Sequence, residues 1–568
     1  MKNNFSIWKP ISLILLLSLS AAFVFAQEET GEESEIPELV NPEAPLTETS
    51  SPENDHGIYK IRKIDFDISG PKFSTGHSRP FALLNNGEFQ EGELITGREN
   101  LEKFRQQKIQ LLMNQRVLES VDIQYELGET EADGAVPVDL LVIVRDTFNM
   151  IALPYFKFDT NSGLELTLKA RDYNFLGTMS PLRVDLGYTR DENYKNSFNF
   201  AIDSDTPFKV FGFNWNLNFD HDFALRPDED SGHELYYKNT TGIAMELPVG
   251  FTTATFGFEE AFIVNEDNTG NSKYKKERDR KYENYASSEL YVSWKIPTPF
   301  AVGPFGYLTY TPKIAGNINY GLGEEIGYLY QGPALIFSHI LGFGRINWIQ
   351  NYRSGLEASV SNSNSYNFYK EDRSGTLTAS AAGHLPVTAW FGMSGKLQYR
   401  LWFGRPEDIV PRNDIDPAPV PDEADPDSIH RVVLTSFNEA GDVLRGIRNK
   451  NIKADQMLSL NMDFPFRVWQ FRPSQKPWMR YFNFEMHLSP ILDMAILSSP
   501  DPKTAPFQIA GGIEVVVFPA IMRSLYIRAS LGYNLREVFA TGFASGSSFN
   551  KLLSTEYAEF FFGIGHHY

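Results

Sequence analysis

Cysteine is absent from all 568 residues, which removes disulfide frameworks, thiolate zinc sites, iron–sulfur clusters and cysteine nucleophiles together. A basic surplus is missing as well. With 52 Lys and Arg against 72 Asp and Glu, the formal net charge is -20, and no general nucleic-acid face is expected. Long apolar runs are lacking beyond the first residues, and the mean hydropathy of -0.30 argues against a bundle of membrane helices. What the chain has in quantity is aromatic side chains, 14% of residues, within an apolar content too high for a disordered polymer.

Lys2 and Lys9 precede an apolar run over 11–25 that is too short for a span, which takes roughly 20 residues. It closes on Val24-Phe25-Ala26, so 1–26 reads as a secretory signal peptide cut after a small residue. The segment 27–56 is strongly acidic, lacks Lys and Arg, and holds Pro at 37, 42, 45 and 52. It reads as a disordered tether.

A small α/β unit is expected over 57–147. Ile64, Phe66 and Ile68 alternate with Asp65 and Asp67 as in a half-exposed strand. Leu101, Phe104, the stem of Lys108, Leu111 and Leu112 recur at helical spacing. Two more strands follow, over 121–127 and 138–144.

From 148 to 568 the helical period gives way to a period of two. Leu164, Leu166 and Leu168 alternate with Glu165, Thr167 and Lys169, and Phe211, Phe213, Trp215, Leu217 and Phe219 alternate with Gly and Asn. A soluble sandwich would fill its apolar face with Val, Ile and Leu. Here that face is crowded with Phe, Trp and Tyr, as lipid contact and interfacial girdles require. Strands in lipid must close on themselves, since an open edge leaves backbone groups unpaired. The expected fold is therefore an all-β transmembrane barrel of about 16 antiparallel strands, preceded by one small α/β domain. The count drifts between 16 and 18 because 333–362 divides ambiguously. Short turns marked by Pro207, Pro248, Pro297, Pro386, Pro465 and Pro519 point to the periplasmic side; long polar connections at 221–233, 265–283, 361–373, 404–453 and 537–554 point outward.

Several motifs in this series resemble the BamA/TamA-like outer-membrane assembly proteins, the bacterial surface antigen family. The stretch 163–177, ending Tyr173-Asn174-Phe175-Leu176-Gly177, is similar to that family's second barrel strand and following turn, with Asn174 and Gly177 as the turn motif. Leu444-Arg445-Gly446-Ile447 resembles the Val-Arg-Gly-aromatic tip of a long loop folded into the lumen, with Ile447 in the aromatic's place. Leu460–Pro465 resembles the strand carrying an acidic residue before Pro, and Ile491–Ala495 resembles Phe-x-Asp-x-Gly with Ala495 in place of Gly. The resemblance implies that 57–147 is a single POTRA domain and that the barrel has 16 strands.

Parity bears on the same residues independently. Asp463 is in phase with Ser459 and Asn461, and Asp493 with Asn483, Glu485 and His487, so both carboxylates should face the lumen. An Arg on an inserted loop can bridge carboxylates through forked, charge-assisted hydrogen bonds. Arg445 is thus expected to pair with Asp493, Asp463 or both. The barrel must close between a first strand near 150–158 and a last near 557–568. Pro154 lacks a donor there, and Gly563 and Gly565 add little packing, so a weak seam ending at the aromatic Tyr568 is expected.

No catalytic pattern survives: Ser545-Gly546-Ser547 lacks the nucleophile-elbow spacing, and the glycines from 321 to 327 miss the dinucleotide fingerprint. No enzyme activity, metal or cofactor is expected; His566 and His567 point to opposite faces of a strand. The resemblance implies insertion or translocation of outer-membrane or secreted proteins, taken up by strand addition on the POTRA domain and released through the seam. Expected partners are outer-membrane lipid and unfolded protein clients, with periplasmic chaperones or lipoproteins as candidates and no nucleic acid. A passive pore, a lipid exporter and a surface adhesin are the alternatives on the same scaffold.

Overall fold

The computed structural model describes residues 57–71, 76–132, 134–159, 163–190, 196–228, 232–264, 285–320, 333–368, 372–403, 438–439, 444–447, 453–454, 456–472, 482–498, 505–520, 522–539 and 558–564. The signal segment, the tether, and Gly565 and Tyr568 lie outside them.

The small unit is a four-stranded sheet in the order Leu94–Thr96, Ile58–Ser69, Ala135–Asp146, Leu118–Leu127, with Ile58–Ser69 parallel to Ala135–Asp146. Two helices, Pro80–Asn86 and Arg98–Asn114, belong to the same unit. Leu83, Leu101 and Leu112 from the helices and Ile61, Ile123, Val138 and Val142 from the strands form its core. Lys108 lies in that face too. Its ammonium donates to the Glu88 carbonyl and sits 4.9 Å from the Phe104 ring centre, and burial pulls its pKa below the ordinary lysine value.

From Met150–Asp159 to Ala558–Ile564 the strands form one closed antiparallel barrel. Two of its segments, Gln456–Asp463 and Phe466–Phe471, lie end to end between the same neighbours, Phe391–Phe403 and Phe484–Ser498. The wall therefore has eighteen strand positions among the described residues, more than the sixteen that the resemblance implied. Two features set that number. Residues 333–362 divide into parts of two long strands, Ala334–Ile349 and Tyr352–Asn367, joined by a tight turn without Pro in which Gln350 takes a positive φ. Pro465, conversely, marks no hairpin but a break within one strand.

Other prolines also stand inside strand ends rather than at turn tips. Pro207 precedes the turn Phe211-Gly212, where both residues have positive φ. Phe211 is thus a turn residue, 90% exposed, and the alternating run starts at Phe213. The expected loop at 221–233 is largely strand, since Phe213–Asp228 and Gly232–Val249 pair through it.

Alternation sorts the side chains. Leu166, Leu168, Leu186, Leu217, Phe256, Leu290, Val292, Ile314, Val360 and Ile496 form an exposed apolar exterior, which is stable against hydrocarbon and not against water. The residues between them, polar for the most part, face the bore.

Candidate functional site

The bore-facing residues of Gln456–Asp463 and Phe484–Ser498 are buried in strict alternation. Ser459 and Asn461 face inward while Leu458 faces out; Glu485, His487, Ser489, Asp493 and Ala495 face inward while Ile496 faces out. Register sets Asn461 opposite Asp493 and Asp463 opposite Ile491, so the two carboxylates stand close together on adjacent strands.

Residues 444–447 lie on this wall, and Arg445 is only 8% exposed. Its backbone N–H and its Nε both donate to Asp493 Oδ2, at 2.8 and 3.0 Å, and Nη2 donates to Asp493 Oδ1 at 2.7 Å. Nη1 donates to Asp463 Oδ1, and Nη2 also reaches the Met462 carbonyl at 3.4 Å. The guanidinium fork therefore bridges both acids. This geometry belongs to Arg, because a lysine ammonium cannot present two parallel donors to one carboxylate. Asp493 is 1% exposed, so removing the cation would strand a buried charge at a cost of roughly 3–5 kcal/mol.

Apolar packing holds the tip on either side of the charge. Leu444 and Ile447 join Met457, Ala495, Leu497 and Ala510 in one buried cluster. Ile447 and Ala495, the two departures from the family pattern, are both members.

Gly446 has φ 88, a conformation that a side chain disfavours. Its backbone lies against that of Gly532 in the strand Ile527–Asn534. A Cβ on Gly532 would meet the Gly446 Cα at 2.5 Å, so neither residue has room for a side chain. The Gly446 N–H donates to Glu559 Oε2 at 2.8 Å, in the last strand. Gly532 and Glu559 are register partners. Neither was singled out from sequence. Signals existed for both: an isolated Gly within an alternating strand marks close backbone approach, and Glu559 is out of phase with Phe560 and Phe562.

A cleft between Arg445 and the hairpin rim at Trp348 and Asn351 is lined also by Arg353, His384, Glu514 and Arg528. His487 lines it as well, paired with Glu485 at 2.6 Å and with its ring stacked on Tyr352 at 4.7 Å.

The small domain meets this rim. Arg116, held at a positive φ, donates to the Arg523 carbonyl and packs 4.2 Å from the Trp348 ring centre; burial lowers its pKa to about 10, which leaves it charged near neutrality. Asn114 accepts from the Trp348 N–H at 3.0 Å and donates to Asn347 at 2.9 Å. Asn174 and Gly177 belong to the same contact rather than to the loop-tip cluster. Asn174 donates to Ser78 Oγ at 3.0 Å, Ser78 donates in turn to Asp146, and the Gly177 carbonyl accepts from the Arg79 N–H at 2.8 Å.

At the seam, the closed sheet sets Ala558–Ile564 beside Met150–Asp159. Pro154 is exposed on the first of these, and Gly563 stands opposite Arg528 in the ladder to the preceding strand. Among the described residues no group of acidic and His side chains is arranged to hold a metal ion.

No family model matches the chain, and no curated protein matches it. Among solved structures it is similar to BamA from Haemophilus ducreyi lacking POTRA domains 1–3, at 13% identity over 84% of this chain and 80% of that one, with a TM-score of 0.35. It is similar to CdiB from Acinetobacter baumannii at 12% identity over 84% and 70%, with a TM-score of 0.40. It is also similar to the siderophore receptor PirA from Pseudomonas aeruginosa at 10% identity over 73% and 72%, with a TM-score of 0.30.

Proposed function

We propose that this chain is a non-enzymatic factor of the outer membrane that inserts or translocates proteins, taking client segments at its small periplasmic domain and passing them through the seam between its first and last strands. The observation that carries the reading is the seated tip: Arg445 and Gly446 bind three strands of one wall, including the last. A passive pore has no use for a buried arginine clasp on an inserted loop. An inserter does, because a clasp that ends at a strand bordering the seam can set when that strand is free to pair with another chain. The docked domain adds to this, since its contacts with Asn347 and Trp348 hold a four-stranded sheet unit at the barrel rim.

Depletion of the protein followed by an inventory of outer-membrane proteins tests the reading. Loss of a subset of barrel or surface proteins is expected; unchanged levels of all of them would overturn it.

A further inference from the structure

The tip makes two kinds of contact with the wall. Arg445 is fixed by side chains, through Asp463 and Asp493. Gly446 is fixed by backbone, flush on Gly532 with its N–H on Glu559. These ties fall on the strands Gln456–Asp463, Phe484–Ser498, Ile527–Asn534 and Ala558–Ile564, which follow one another around the barrel up to the seam with only Phe507–Pro519 between. The described part of the last strand has seven residues, and its ladder to Ile527–Asn534 includes Gly532 and Gly563, which contribute no side-chain packing. Glu559 is thus a side chain of the last strand that reaches past its register partner Gly532 to the backbone of the loop tip.

We propose that Glu559 is a positioning residue that latches the last strand to the loop tip, so that the seam stays closed while the tip is seated and loosens when it is withdrawn. The proposal rests on the insertion reading for what the seam is used for, but not for the coupling itself. A carboxylate accepting a backbone N–H is a charge-assisted bond, and its loss removes the tie between the last strand and the tip. Only Gly permits the arrangement: a side chain at 446 would collide with the Tyr533 backbone nitrogen at 2.5 Å and lift the N–H from its acceptor.

The natural chain contains no cysteine, so two can be introduced for spin labels without background. Pro154→Cys on the first strand and Phe560→Cys on the last are both exposed positions. Pulsed EPR distances are then compared in lipid nanodiscs for the otherwise natural chain and with Glu559→Ala, Glu559→Gln, Arg445→Ala, or Glu559→Ala and Arg445→Ala together. Folding is checked in each case by gel mobility without heating.

One narrow short distance is expected for the natural chain. A second, longer population of comparable amplitude is expected for Glu559→Ala and for Arg445→Ala, with no further widening when the two are combined. Glu559→Gln, whose amide oxygen still accepts, should keep the narrow distribution. A folded Glu559→Ala protein with the natural distribution would overturn the proposal, as would a Gln variant as broad as the Ala variant. Unchanged outer-membrane protein levels on depletion, beside a broadened Glu559→Ala distribution, would leave the latch standing and remove only the insertion role.

Discussion

Two walls of the barrel face the same bore and are held together differently. Across from the seam, Phe213–Asp228, Gly232–Val249, Tyr285–Ala301 and Tyr307–Tyr320 run 14 to 18 residues and are joined by long ladders. Their inward side chains form small contacts open to water: Lys313 on Glu289 at 2.8 Å, Asn317 on Ser287 at 3.0 Å, Asn214 on Glu246 at 3.3 Å. Near the seam, the position shared by Gln456–Asp463 and Phe466–Phe471 and the strand Phe484–Ser498 carry the buried clasp of Arg445, Asp463 and Asp493, and Ile527–Asn534 and Ala558–Ile564 lie against the same tip. On the far wall the bore is lined by polar contacts open to water; on the seam-side wall buried charge and the tip 444–447 add cohesion to the ladder. The seam-side wall is also the one whose ties converge on a single short segment, 444–447.

The sharpest way to break this comparison is Arg445→Ala. Leaving Asp493 buried without its cation should cost roughly 3–5 kcal/mol and lower the temperature at which the barrel loses its folded gel mobility. Arg445→Lys should recover little of this, because the fork is lost. Next in size is Gly532→Ala, whose methyl would meet the Gly446 Cα; overpacking of about 1–3 kcal/mol should unseat the tip in the same assay. Gly316→Ala, where nothing lies within 4 Å of the new methyl, should be silent within about 0.5 kcal/mol. Arg116→Ala should leave the barrel's heat resistance unchanged while freeing the small domain from the rim, read as faster hydrogen exchange in Arg98–Asn114, at a cost of up to about 2 kcal/mol. Lys313→Ala on the far wall breaks a partly exposed pair worth less than about 1 kcal/mol, with no change in gel mobility expected.

The barrel was legible in the sequence because a period of two with an aromatic apolar face admits few other solutions. Its strand number was less so, since turn chemistry had to be guessed: Pro465 breaks a strand without reversing it, and Gln350-Asn351 reverses the chain with no Pro or Gly. Parity placed Asp463 and Asp493 on the bore face, and resemblance singled out Arg445, but the sequence carried no register. Register decides that Glu559 stands opposite Gly532, which is why the tie to the last strand emerged only in three dimensions. The roles of Asn174 and Gly177 were hidden for a related reason. They are fixed by contacts with Ser78 and Arg79, nearly a hundred residues away, which no local pattern encodes.

A double-mutant cycle between Arg445 and Asp493, read as the temperature at which the folded gel mobility is lost, tests the central claim most directly. Arg445→Ala and Asp493→Ala should each lower that temperature substantially, and the double variant should fall no further than the worse single one, because both remove the same clasp. Losses that simply add would contradict a clasp and leave the tip resting on an otherwise self-sufficient wall.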